Sequence, residues 1–244
     1  MENKSEIQKS KDKNDDRGKT GKDKGIQSFF SHEQKLQRKQ EELDELSQNA
    51  DPLQFLQICH ELTRMRRYKE SVTFDPATAG SCLVVSELGK RLKFSKTATT
   101  THSADSARFD SPIVLGTKGF TSGRHYWEVR VGLRNDWFVG VAKGTVPRTG
   151  MVAVTSRNGF FAIGKKGFDY QVNCPLCTIL HLCPRPRNVG IYVDYAEGRI
   201  SFYDVDEKLH IYSFKLESFA EKMFPCFYLY SRATKSQALV ITSV

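Results

Sequence analysis

The chain has 244 residues, of which 39% are hydrophobic and 27% charged, so it is long enough for one full-sized domain with an extension. No apolar run approaches the roughly 20 residues of a membrane span, and no apolar segment opens the chain as in a signal peptide, so we expect a soluble cytoplasmic protein, with the nucleus as an alternative. The six cysteines are too sparse for a disulfide scaffold, and the net charge of +9 favours acidic partners.

Two segments without strand patterning come first. Residues 1–30 have few large apolar side chains and mixed charges, which predicts a disordered tail. Residues 31–68 have helical spacing, with apolar positions every seven residues from Leu36 to Ala50, and Pro52 suits the first turn of a second helix. This helical part either packs on the following domain or pairs two copies as a short coiled coil, so a homodimer through the N-terminal helix stays open.

From residue 69 onward, the apolar residues alternate with period two in short runs rich in β-branched and aromatic side chains. In residues 125–131, Trp127 and Val129 face one side of the predicted strand, whereas Tyr126 and Glu128 face the other. Similar runs follow at 137–142, 159–164, 189–195, 199–205 and 238–243. Many short strands without amphipathic helices between them predict a mainly β fold, a two-layer antiparallel β-sandwich over residues 69–244.

The order of several motifs within these runs resembles a known domain. Asp75-Pro76 and Thr78-Ala79 in residues 72–94 are similar to the opening of the PRY half of PRY-SPRY domains. RFDSPIVLG, GFTSGRHYWEVRVG, the hairpin NVGIYVDYAEGRISFYDV and FPCF follow in the family's order. The chain is therefore identified as a PRY-SPRY protein of the tripartite-motif and butyrophilin type. The resemblance implies a sandwich that recognises a partner protein through loops at one end.

The resemblance does not extend to the N-terminal domains of tripartite-motif ubiquitin ligases. Their RING and B-box need several zinc-binding Cys/His pairs, and the first cysteine here is Cys59. The lysine-rich stretch after Met1 favours a true start of the chain. We therefore expect an adaptor in intracellular innate immune or ubiquitin-linked regulation. The alternative is the substrate-binding part of a ligase whose RING lies outside this chain.

Residues that could carry chemistry are few. Cys174 and Cys177 have the spacing of a zinc knuckle, but His181 and Cys183 alternate along an extended run and are poorly placed to complete a tetrahedral site. No nucleophile elbow, phosphate-binding glycine loop or metal-binding helix motif is present. We expect no enzymatic activity, no catalytic residue, no metal and no cofactor.

The candidate contact residues lie in predicted loops or at the ends of predicted strands, where arginine and aromatic side chains supply much of the energy of protein recognition. Phe168 and Tyr170 are the stronger surface candidates among the aromatic residues. For Phe160, the alternative to partner contact is burial in the core. The predicted partner-binding set is Arg134, Asn135, Asp136, Arg148, Phe160, Lys165, Lys166, Phe168, Tyr170 and Tyr230.

A second interpretation follows from charge. Residues 71–244 contain 22 Lys/Arg and 14 Asp/Glu, which gives this part a net charge of +8. Some butyrophilins bind a small phosphorylated ligand in a basic pocket of this domain, and the resemblance places His125 and Arg148 in motifs near it. Arg124, His125 and Arg148 are thus candidates for binding RNA or another anionic ligand, unless they are ordinary solvated charges.

Overall fold

The computed structural model describes residues 52–96, 107–133, 135–174, 178–231 and 237–242. The predicted tail and the heptad segment up to residue 51 lie outside these ranges, as do Arg134 and Cys177. Among the described residues, no helix is long and apolar enough to cross a membrane.

One helix precedes the strands. Helix α1 spans Pro52–Met65, with the proline at its first position as predicted, and a 3-10 turn follows at Arg66–Tyr68. Ile58, Leu62 and Met65 of the helix are buried in a cluster with Tyr126, Tyr192 and Tyr203. The end of the helix therefore packs on the following domain, which is one of the two arrangements that the sequence left open.

Thirteen strands follow among the described residues, and they form two antiparallel sheets, with a second 3-10 turn at Ser156–Asn158. The strands are β1 Leu83–Ser86, β2 Arg91–Phe94, β3 Ile113–Leu115, β4 Arg124–Arg130, β5 Asp136–Lys143, β6 Phe160–Lys166, β7 Asp169–Val172, β8 Thr178–Leu180, β9 Asn188–Asp194, β10 Arg199–Asp204, β11 Leu209–Lys215, β12 Met223–Tyr230 and β13 Leu239–Thr242. The seven-stranded sheet has the order β1-β2-β13-β4-β9-β10-β11, and the six-stranded sheet the order β3-β12-β5-β6-β7-β8. The predicted two-layer β-sandwich is confirmed.

The main core lies between the two sheets and is built by alternate residues of their strands. Trp127 and Val129 of β4 enter it from the seven-stranded sheet, and Trp137 and Val139 of β5 enter it from the six-stranded sheet. The indole of Trp137 donates a hydrogen bond to the Gly132 carbonyl, 2.9 Å away. The period-two pattern thus assigned the inward face of β4 correctly.

A second apolar cluster covers part of the outer face of the six-stranded sheet. It contains Ile113, Leu115, Ala142 and Cys226 from the strands, together with Phe160 at the start of β6. Val146, Val152 and Val154, from the chain between β5 and β6, pack over these residues. This segment covers one part of the outer face and leaves the part beside it as a groove.

Candidate functional site

The groove on the outer face of the six-stranded sheet has a volume of about 250 Å³. Residues 152–155 form one wall, and strands β5, β6, β7 and β12 form the floor. The polar and aromatic side chains that line the floor are Asp136, Phe138, Lys166, Gln171, Asn173 and Tyr228. We describe these side chains and the wall as the sheet groove.

The register of four strands brings the floor together. Phe138 pairs with Tyr228 on one side and with Gly164 on the other, and Gly164 pairs with Gln171. Paired residues point to the same face, so this row lies opposite the core residues Trp137 and Val139. The ring of Tyr228 meets that of Phe138 edge-on, at a centroid distance of 5.5 Å.

Gly164 is required for this arrangement because the ring of Phe138 lies over its backbone. A Cβ at this position would be 2.3 Å from Cδ1 of Phe138 and 2.1 Å from the Trp137 carbonyl oxygen. These distances are far below contact distance, so a larger residue would displace the ring that forms the apolar floor.

Asn173 supplies a buried polar group at the edge of the floor. The residue is only 3% exposed, its backbone N–H donates to the Ala162 carbonyl, and its Oδ1 accepts from Gln171 Nε2 at 3.3 Å. Its Nδ2 is buried and has no hydrogen-bond partner within the described ranges. A buried donor of this kind costs free energy unless an acceptor reaches it.

Tyr228 contributes a neutral phenol to the same floor. Burial, together with the nearby Asp136 carboxylate, raises the pKa of Tyr228 to about 12. The hydroxyl therefore keeps its proton at neutral pH and can donate or accept a hydrogen bond.

An exposed aromatic residue stands at the rim, on the turn between β6 and β7. Gly167 has a φ of 64°, which favours glycine, and its N–H donates to Asp136 Oδ1 at 2.8 Å. Lys165 Nζ donates to the Gly167 carbonyl at 2.6 Å. These bonds fix the turn, and the side chain of Phe168 at its tip is 89% exposed.

The structure divides the predicted partner-binding residues. Asp136 and Lys166 line the sheet groove, Phe168 lies on the neighbouring turn, and Tyr230 is half-buried at the end of β12. Arg134 lies outside the described residues.

Four other residues of the predicted set are buried, which differs from their prediction as surface contacts. Phe160 is fully buried in the outer apolar cluster, because the chain between β5 and β6 folds over it. Tyr170 packs edge-on against Trp137 in the core, at a centroid distance of 6.2 Å. Asn135 and Lys165 are also buried, with Asn135 Nδ2 donating to the Gln237 carbonyl. These side chains support the site from inside rather than present a surface.

Sequence reasoning missed the residues that make the floor, which are Phe138, Gln171, Asn173 and Tyr228. One signal was available for Phe138. It lies between Trp137 and Val139 in an alternating strand, so it must point to the opposite face from those core residues.

The candidate anion-binding residues do not form one site. Arg124 Nε lies 2.9 Å from Asp194 Oδ2, and its Nη1 donates to the hydroxyl of Tyr68. His125 Nδ1 lies 2.8 Å from Glu70 Oε1, its Nε2 lies 2.7 Å from the Ser122 carbonyl oxygen, and its ring stacks on Phe120.

Arg148 lies in the chain between β5 and β6, on the outer side of the six-stranded sheet. Its guanidinium lies over the ring of Phe109, 4.3 Å from the centroid, and Nη2 donates to the Gly144 carbonyl. Burial lowers the pKa of Arg148. Arg148 therefore packs into the outer cluster, on the opposite sheet from Arg124 and His125.

The cysteine segment is only partly described. Cys174 Sγ lies 3.3 Å from the Thr178 hydroxyl, and Cys183 is exposed. Within the described part of the chain, no group of three or more His, Cys, Asp or Glu side chains is arranged to hold a metal ion.

Comparison with known proteins gives consistent matches to one domain type. The SPRY domain model matches residues 124–242, and the model of the SPRY-associated domain, PRY, matches residues 72–120. Butyrophilin subfamily 1 member A1 of Homo sapiens is 42% identical over 165 residues, which are 67% of this chain and 31% of that protein. The E3 ubiquitin-protein ligase TRIM68 of Homo sapiens is 39% identical over 165 residues, which are 67% of this chain and 34% of the ligase. The chain thus spans about a third of the length of these curated relatives.

Solved structures support the same architecture. The TRIM65 PSpry domain superposes with a TM-score of 0.65 at 19% identity, covering 80% of this chain and 98% of that domain. Stonustoxin superposes with a TM-score of 0.61 at 24% identity, covering 73% of this chain and 28% of the toxin chain. At these identities the likeness concerns the fold.

Proposed function

The chain belongs to the PRY-SPRY family of butyrophilins and tripartite-motif proteins, and on that premise we propose that it binds a partner protein through the sheet groove. The PRY-SPRY domain is a protein-interaction module in these proteins and not a catalytic one. The geometry of the sheet groove supports the proposal that this role is carried out there.

The unpartnered Nδ2 of Asn173 is the observation that carries the proposal. A main-chain carbonyl of a bound segment would satisfy this donor, and the rings of Phe138 and Tyr228 offer an apolar floor for one side chain of the same segment. Asp136 and Lys166 place opposite charges at the groove. The partner that fits best is an extended peptide segment with an apolar anchor, and Phe168 at the rim supplies a further exposed contact.

The cellular role that we propose is that of a tripartite-motif-like adaptor, in the cytoplasm, in innate immune or ubiquitin-linked regulation. Among the relatives, TRIM68 is an E3 ubiquitin-protein ligase by name. In this sequence no RING-type cysteine pairs precede Cys59. The alternative is that the chain is the substrate-binding part of a ligase whose RING lies outside it.

An RNA or anionic-ligand receptor on Arg124, His125 and Arg148 is the weaker candidate. Arg124 and His125 each contact a carboxylate, and Arg148 is packed on an aromatic ring. Binding to RNA through several phosphates would weaken by orders of magnitude between 50 and 200 mM salt, whereas binding in the sheet groove would change little.

The test of the proposed function is quantitative affinity purification with the full chain and two variants. The groove variant combines Lys166→Glu with Gln171→Ala, and the matched control is Lys93→Glu, an exposed charge on the opposite sheet. We expect at least one protein partner that both wild type and control retain to be lost from the groove variant. Equal recovery of every partner with all three proteins would overturn the groove as the binding site.

A further inference from the structure

A second cavity, of about 230 Å³, lies on the other side of the sandwich. It lies between residues 61–68 and the outer face of the seven-stranded sheet, at the ends of β4, β9 and β10. The charged side chains that line it are Glu61, Arg64, Arg124, Asp194, Glu197 and Arg199. We refer to it as the arginine cavity.

Each carboxylate of the arginine cavity already has a partner. Asp194 Oδ2 lies 2.9 Å from Arg124 Nε and accepts from the Tyr192 hydroxyl at 3.1 Å. Glu197 lies 3.6 Å from Lys215 Nζ, and Glu61 interacts with the Tyr203 hydroxyl. Asp194 and Glu197 are therefore each paired with a cation, whereas the partner of Glu61 is a neutral hydroxyl.

Two guanidinium groups remain without a carboxylate partner. Neither Arg64 nor Arg199 has an acidic oxygen within 4.0 Å among the residues that the structure describes. Arg199 lies over the ring of Tyr192, and its buried Nε has no acceptor in the described part of the chain. A buried guanidinium donor without an acceptor indicates that an oxygen-bearing group belongs beside it.

We propose that the arginine cavity binds a phosphate monoester, whose oxygens accept hydrogen bonds from Arg64 and Arg199. Two guanidinium groups from different elements can donate hydrogen bonds to several oxygens of one phosphate. A planar carboxylate has two oxygens, and the paired N–H groups of a single guanidinium match them. Met65 and Tyr68, which also line the cavity, provide an apolar wall for the group esterified to the phosphate.

The position of the two arginines gives binding a mechanical consequence. Arg64 lies on helix α1, whereas Arg199 begins β10. A phosphate held by both would fasten the helix to the sheet, so the bound protein would unfold at a higher temperature. The arginine cavity and the sheet groove lie on opposite sheets, so the groove variant Lys166→Glu/Gln171→Ala should bind phosphate normally.

The experiment is a titration of the ¹⁵N-labelled full chain at low ionic strength, with phenyl phosphate and, separately, with inorganic phosphate. We expect saturable shifts of amide signals in residues 61–68 and 194–199, with a rise in unfolding temperature. Arg64→Ala and Arg199→Gln should each weaken binding about tenfold, since each removes charge-assisted hydrogen bonds. Arg67→Ala is the matched control, because Arg67 is exposed in the adjoining turn and does not line the cavity.

The two probes distinguish the source of the phosphate. Tighter binding of phenyl phosphate supports a phosphorylated side chain or metabolite as the ligand, and equal binding supports free phosphate at the same site. No saturable shift in these residues at about 10 mM of either probe would overturn the proposal, as would an equal loss of binding in Arg67→Ala. If Arg199→Gln is unstable, Arg64→Ala decides the outcome, because Arg64 is an exposed residue of the helix.

Discussion

Arg66, in the turn after helix α1, and Glu128, on β4, form an ion pair in which Nη2 lies 3.1 Å from Oε1. The carboxylate is nearly buried, with 8% of its side chain exposed, and it also accepts a hydrogen bond from the Tyr126 hydroxyl at 2.7 Å. The pair links the segment before the sandwich to the middle of the seven-stranded sheet. Helix α1 is thus attached by a polar contact as well as by its apolar cluster.

Removal of the arginine should therefore destabilise the protein. Among the described residues, Arg66→Ala leaves the Glu128 carboxylate with the Tyr126 hydroxyl as its partner, and we expect a loss of about 1–2 kcal/mol in the free energy of unfolding. Urea denaturation of the full chain measures the loss. Arg67→Ala is the control, since no carboxylate lies within 4.0 Å of Arg67 among the described residues. A variant Arg66→Ala as stable as this control would show that the pair contributes nothing.

The apolar attachment of helix α1 depends on few residues, so a single truncation should release the helix. Leu62 is 2% exposed and packs among the three tyrosines of the sheet. We expect Leu62→Ala to cost about 2–4 kcal/mol and to speed hydrogen exchange selectively in residues 58–65. Leu56→Ala, at an exposed position of the same helix, should change stability by less than about 0.5 kcal/mol. If Leu62→Ala instead sped hydrogen exchange equally across the whole sandwich, the interpretation that the helix can detach on its own would be contradicted.

The floor of the sheet groove should be sensitive to one added methyl group. Gly164→Ala places a Cβ against the Phe138 ring and the Trp137 carbonyl, and we expect a loss of about 1–3 kcal/mol together with displacement of the ring. Partner recovery should fall with it. Gly144→Ala provides a milder comparison, because its Cβ would meet Phe224 only at 3.3 Å. Unchanged chemical shifts of the Phe138 ring in Gly164→Ala would contradict the close approach described here.

Acid sensitivity should depend on Asp194. Burial opposes ionisation of this carboxyl, but hydrogen bonds from the Glu197 N–H, the Tyr192 hydroxyl and Arg124 outweigh burial and lower its pKa. A lowered pKa in the folded state contributes stability above the unfolded value of about 3.9, and that stability is lost as the pH falls through the folded pKa. In urea denaturation between pH 7 and pH 3, Asp194→Asn should be less stable than wild type at pH 7, and the difference should shrink towards pH 3. A difference in the free energy of unfolding between the two proteins that stays constant from pH 7 to pH 3 would contradict the lowered pKa of Asp194.

The sandwich was predictable because its central strands alternate cleanly. In β4, Trp127 and Val129 face the core as their spacing requires. The edge strand β11 shows why other strands were missed: most of its residues are exposed or half-buried, so they carry little of the alternation that marks a central strand. The domain boundary at residue 69 and the disordered tail over residues 1–30 stay predictions.

The candidate site was less predictable, because its residues depend on how a loop covers a sheet. Phe138 and Phe160 both belong to strands whose two faces are apolar, and the local pattern does not show which outer face is covered. In the structure, the segment containing Val152 and Val154 packs with Phe160, whereas Phe138 lines the sheet groove. The difference between the two residues arises from a tertiary contact of the covering segment, and the period-two alternation within a strand carries no information about such a contact.

Cysteine reactivity should separate exposed from buried positions. Burial raises the pKa of Cys226 to about 12, and its thiol lies in the outer apolar cluster, whereas Cys183 is exposed. The thiolate is the reactive form, so iodoacetamide at pH 8 should alkylate Cys183 in the native protein and leave Cys226 unmodified until the protein unfolds. Mass spectrometry of peptides after timed labelling measures both rates, and Cys183→Ser should abolish labelling at position 183 without changing that of Cys226. Alkylation of native Cys226 at the rate of Cys183 would contradict the covering of the part of the outer face that lies beside the sheet groove.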